Sequence, residues 1–108
     1  MTKAVQLDDL FAEIEARRNA APEESYSAQL LADLPRATRK LGEEASEAMV
    51  AALSESDAEL VGEAADVMYH LLIVLAARGL SLDDVMDELA RRAGRSGLAE
   101  KAARGEGA

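Results

Sequence analysis

Two long runs of helix-forming residues are separated only by the polar break Ser54-Glu55-Ser56-Asp57. A break that short lets the chain fold back on itself as an antiparallel helical pair. With the turn centred near Glu55, Glu47 stands level with Glu63, and Glu44 with Asp66. Residues three or four apart share a helix face, so Glu43, Glu44 and Glu47 form one acidic row, and Glu63 and Asp66 the facing one. Opposed carboxylates repel unless protons or a hard cation neutralise them, and an oxygen-only ligand set suits Mg²⁺ or Mn²⁺. Such a site points to a phosphate substrate. The plainer reading is a solvated acidic face, which many helices carry. Ala45 and Ala65 are level across the pair, as are Ala48 and Gly62. Gly42 and Gly62 each cost about 1 kcal/mol relative to Ala inside a helix. The expectation is therefore that something approaches the backbone closely beside the acids.

A chain of 108 residues is expected to form one domain with a single modest core. It is rich in Ala and Leu, with 3% aromatic residues and two prolines, which predicts an all-α fold. Without cysteine it has neither disulfides nor thiolate metal sites. Residues 1–9 contain no apolar signal-peptide core, and the longest apolar run, Leu71 to Ala77, is far shorter than the roughly 20 residues that span a bilayer. A soluble cytoplasmic protein without membrane contact is expected. The net charge of −9 argues against a nucleic-acid partner. It also requires metal ions and a few bases to hold any phosphate. The candidate bases are Arg36, Arg39 and Lys40 before the first acidic row, and Arg91, Arg92, Arg95 and Lys101 near the end.

Leu7, Leu10, Phe11 and Ile14 predict an amphipathic helix to about Arg18. A loop with Pro22 follows, then a short helical piece carrying Leu30 and Leu31. Asp33 and Pro35 mark a helix start, and that helix runs to about Leu53. Ser56 with Glu59 forms a capping box for a helix ending at Gly79, and Ser81 with Asp84 another for a helix stopping at Gly94. Residues 1–94 thus read as one helical domain of four to five helices, and 95–108 as a Gly- and Arg-containing tail. Leu71-Leu72-Ile73-Val74-Leu75 is apolar on every side of its helix. A helix of that kind is buried all round, so Leu72 and its neighbours are expected to pack against a second copy of the chain. Met49, Met68 and Met86 read as core filling. His70, one turn after Asp66, is a buried, hydrogen-bonded histidine, a partner that supports a metal-binding carboxylate, or a substrate contact, and Tyr69 is equally open. Gly94-Arg95-Ser96-Gly97 is either a helix stop or a phosphate-binding turn offering a guanidinium, a hydroxyl and backbone N–H groups.

Lys40-Leu41-Gly42-Glu43-Glu44-Ala45-Ser46-Glu47, Glu63 to Leu72, Arg78-Gly79-Leu80 and Gly94-Arg95-Ser96-Gly97 together resemble the phosphoribosyl-ATP pyrophosphatase family, as does Ser25 to Leu30. The resemblance spans about Leu7 to Arg104. The acidic motifs alone are similar to the wider all-α nucleoside-triphosphate pyrophosphatases; Ala64 to Leu72 and the Gly-Arg-Ser-Gly tail narrow it. Between Leu31 and Lys40 the chain departs from the family pattern, carrying Pro35 and no glycine. The resemblance implies Mg²⁺-dependent hydrolysis of phosphoribosyl-ATP to phosphoribosyl-AMP and pyrophosphate, the second step of histidine biosynthesis. It also implies a dimer-based homo-oligomer. Glu44, Glu47, Glu63 and Asp66 would hold the metal, with Glu43 a further ligand or the residue orienting water. Lys40, His70, Arg95 and Ser96 are the substrate-binding candidates. A housekeeping pyrophosphatase of the same fold, and a helical dimerisation module without catalysis, are the alternatives.

Overall fold

Helices form wherever the local sequence favours them and stop where it caps them. The structure, a computed structural model, describes residues 5–94 and 97–105. Among these the chain forms α1 (Val5–Ala16), α2 (Tyr26–Leu31), α3 (Leu34–Ser54), α4 (Asp57–Ala77), α5 (Leu82–Arg92) and α6 (Gly97–Ala103), with a 3-10 turn at Pro22–Glu24. Ser25 caps α2 by accepting from the Ala28 amide, and Asp33 caps α3 by accepting from Arg36. Both expected capping boxes are present, Ser56 with Glu59 and Ser81 with Asp84. Each cap is worth about 1 kcal/mol. Gly79 and Gly94 leave α4 and α5 at φ 76° and 81°, the left-handed conformation that favours glycine. Helix α6 lies in the segment expected as tail.

Glu55 and Ser56, both extended, reverse the chain between α3 and α4, and these two 21-residue helices pack along each other. Phe11, Ile14, Leu30, Ala37, Leu72, Ile73, Ala76 and Leu82 make the core. It lies where α1, α2 and the starts of α3 and α5 meet the second half of α4, beyond the acidic rows. Arg18, past the end of α1, donates to the main-chain oxygen of Ala76 at 2.8 Å and so caps the last turn of α4.

Three expectations are corrected. Leu72 is 3% exposed within its own chain, covered by this core, whereas Leu71 beside it is 42% exposed. The apolar stretch therefore presents one covered and one open side. Met49, Met68 and Met86 are not core filling in the single chain: Met49 is 66% exposed and the others are exposed as well. They lie on helix faces turned away from the core that the described residues form. Finally, a Cβ at Gly42 or Gly62 would meet nothing within 4 Å. Close packing of the helices within the subunit does not explain either glycine.

Candidate metal centre

The hairpin brings the acidic rows face to face. One carboxylate oxygen each from Glu44, Glu63 and Asp66 lies within 4.8 Å of the others. Glu44 faces inward from α3 and is only 9% exposed. Glu47 stands beside Glu63 and outside that cluster; the two line an open cavity of about 350 Å³ with Ser46, Val50 and Glu55. Glu43 lies outside the three-carboxylate cluster, and its Oε2 is 3.2 Å from the Lys40 ammonium, which also reaches Glu44 at 3.7 Å.

One lysine does not balance this charge. Burial holds the Glu63 carboxyl above the usual carboxylate range, and the charges of Glu47, Asp66 and Glu44 push it further the same way. Burial, Glu59 and Glu47 raise Glu55 likewise. The hydrogen bond to Glu43 raises Lys40, against the lowering effect of its own burial. Glu63 Oε2 is buried without a hydrogen-bond partner. A bond from Glu63 to Glu47 needs a proton shared between two carboxylates, so with both ionised this oxygen is unsatisfied. A buried acceptor in that state is costly, and a hard cation resolves it. Ligands of one Mg²⁺ lie at most about 4.2 Å apart, so oxygens already within 4.8 Å of one another need little movement to share an ion. The donor set fits the ion.

The other candidates sort by position. His70 is 6% exposed and occupied at both ring nitrogens: Nδ1 lies 2.8 Å from the main-chain oxygen of Asp66, and Nε2 3.1 Å from the Tyr26 hydroxyl. It is a buried histidine satisfied within the chain. Tyr69 pairs through its hydroxyl with Ser27 Oγ at 2.5 Å. Tyr26 and Ser27 are neighbours of the site that the sequence alone does not place there. The hint was a pair of hydroxyl residues at the start of α2 and an unassigned Tyr69-His70, but nothing local connects them. Arg36 donates to Gln29. Arg91 and Arg92 grip Glu88 and hold its carboxyl down to about 2. Arg95 and Ser96 lie outside the described residues.

Residues 4–93 match the sequence profile of the family described as Phosphoribosyl-ATP pyrophosphohydrolase. Among similar proteins, the phosphoribosyl-ATP pyrophosphatase of Erythrobacter litoralis is 58% identical over 101 residues, 93% of this chain and 97% of that one. The Rhodobacter capsulatus protein of the same name is 57% identical over 92% of this chain and 97% of its own. That of Ruegeria pomeroyi is 55% identical over 94% and 97%.

Proposed function

Because this chain belongs to the phosphoribosyl-ATP pyrophosphohydrolase family, we propose that it hydrolyses phosphoribosyl-ATP between the α and β phosphates. The products are phosphoribosyl-AMP and pyrophosphate, the cofactor is Mg²⁺, and the step is the second of histidine biosynthesis. The observation that carries the reading is the cluster of Glu44, Glu63 and Asp66 around a buried, unpartnered oxygen of Glu63. These three would hold the metal, and Glu47 would complete the set from the cavity side. When bound, Mg²⁺ offsets the negative charge of the phosphates through the transition state. Glu43 keeps one oxygen on Lys40 and with the other takes the proton of the attacking water. The water oxygen bonds to phosphorus as the bridging bond to pyrophosphate breaks. Lys40, the cation beside the acids, takes a phosphate oxygen, and Arg95 and Ser96 are further phosphate contacts.

The working form is a dimer-based homo-oligomer. Its support is the open apolar face of Met49, Val50 and Leu53 on α3 and Val61, Met68 and Leu71 on α4. By length and composition α4 could cross a bilayer. However, it carries Glu63 and Asp66 turned toward α3, which is unfavourable in lipid, so we assign it to a soluble, cytoplasmic subunit. The test is pyrophosphate release from phosphoribosyl-ATP and, side by side, from ordinary nucleoside triphosphates. Release with Mg²⁺, stopped by EDTA and favouring phosphoribosyl-ATP, is expected. Glu44→Gln and Asp66→Asn should each lower it roughly 100-fold. Equal turnover of ordinary triphosphates would replace the proposed substrate, and full activity of both variants would remove the metal assignment.

A further inference from the structure

His70 is the only histidine of the chain, and it lies buried one turn beyond Asp66. Its Nδ1 faces the main-chain oxygen of Asp66, which can only accept, so Nδ1 carries the hydrogen. In the neutral ring Nε2 is then the acceptor, and the Tyr26 hydroxyl 3.1 Å away is the donor. The imidazole cannot easily turn. The Tyr69 and Tyr26 rings stand edge-on to it at 5.0 Å and 6.0 Å, and lie nearly parallel to each other at 6.3 Å. A one-way chain of donors thus runs from the first residue of α2 to the acidic turn of α4.

The turn that receives it packs against α3 at the edge of the core. The core begins beyond it, and the hairpin carrying the acids is two helices with an open outer face. In an α-helix the Asp66 carbonyl also accepts the amide of residue 70, so its direction depends on two donors from one residue. Releasing the imidazole lets α4 relax where Glu63 and Asp66 face Glu44. Mg²⁺ demands near-ideal octahedral geometry and tolerates such a shift poorly.

We propose that Tyr26 is a positioning residue for the acidic centre, acting through His70 to hold the Glu63–Asp66 turn in register with Glu44. This rests on the reading of Glu44, Glu63 and Asp66 as the magnesium site. A purely architectural role, docking α2 on α4, would be shared with the parallel tie from Ser27 to Tyr69, which makes no hydrogen bond to His70 and meets it only through the edge contact of the Tyr69 ring.

The test is calorimetric titration of Mg²⁺ into the full chain and its Tyr26→Phe and Ser27→Ala variants, well below their melting temperatures. It is paired with ¹⁵N NMR of the single histidine in metal-free protein at about pH 8, above the ordinary imidazole range. The expected results are the Nδ1–H tautomer in the parent, lost or mixed in Tyr26→Phe, and magnesium affinity about tenfold weaker in Tyr26→Phe but within about twofold in Ser27→Ala. An Nε2–H tautomer in the parent would overturn the proposal whether or not the variants fold. Parent-like affinity in Tyr26→Phe, or equal weakening in Ser27→Ala, would also overturn it while leaving the metal centre standing. Absence of saturable binding in the parent would instead remove the metal centre itself, and this proposal with it.

Discussion

Glu63 carries the electrostatic tension of the site in a single side chain. Its carboxyl titrates above the usual range because burial and three neighbouring acids disfavour its charge. A group raised in this way stabilises the fold below the unfolded value, about 4.3 for Glu, and that contribution is lost as pH rises through the folded value. Metal-free protein should therefore forgo it at neutral pH. We expect Glu63→Gln to melt above the parent at pH 7 in EDTA, with the gap closing as pH falls toward about 4. A lower melting temperature for the variant at pH 7 would mean that the carboxylate is held by hydrogen bonds rather than strained. Glu88 has the opposite sense: its stabilisation by Arg91 and Arg92 is present above the unfolded value and lost as pH falls through about 2. Because that group is exposed, its effect should be small.

At the scale of the element, α2, α3, α4 and α5 each have a capped start and at least one buried residue, and two positions test what holds α4. Gly62 sits inside α4, where an added Cβ meets nothing. Gly62→Ala should stabilise the metal-free subunit by about 1 kcal/mol through helix propensity alone, read as a higher melting temperature. If stability rises while turnover falls, the glycine serves substrate or partner approach and not the subunit's own packing. Arg18 closes the far end of the same helix through the Ala76 carbonyl. Arg18→Ala should cost about 1 kcal/mol by denaturant titration, and an unchanged midpoint would show that water replaces the guanidinium there.

For the whole molecule, the radius of gyration is 16.0 Å, above the roughly 13 Å of a compact domain of this length. The excess has a physical origin: one core at one end of a long hairpin leaves apolar residues of α3, α4 and α5 open to solvent. Sedimentation at micromolar concentration should show at least a dimer. Leu53→Glu combined with Met68→Glu should dissociate it, since both side chains lie on the open face and charges are unfavourable in an interface core. A well-folded parent monomer at that concentration would show that the face stays solvated, and the oligomer would have to be given up.

What could be read along the chain is what depends on near neighbours. Helix positions, the caps at Ser56 and Ser81 and the stops at Gly79 and Gly94 follow from residues within one turn. The pairing of Glu44 with Asp66 needed only equal distances from a short break. By contrast, Leu72 rather than Leu71 is covered because α1, α2 and α5 approach one side of α4, a choice not encoded in a stretch apolar all round. Glu47 falls beside the three-oxygen cluster and not in it because side-chain reach, not register, decides which oxygens meet. His70 finds its partner 44 residues away in Tyr26. Only the docking of α2 on α4 brings that hydroxyl to the imidazole, because a hydrogen bond requires atoms to meet within about 3 Å, and sequence spacing constrains that only within a helix.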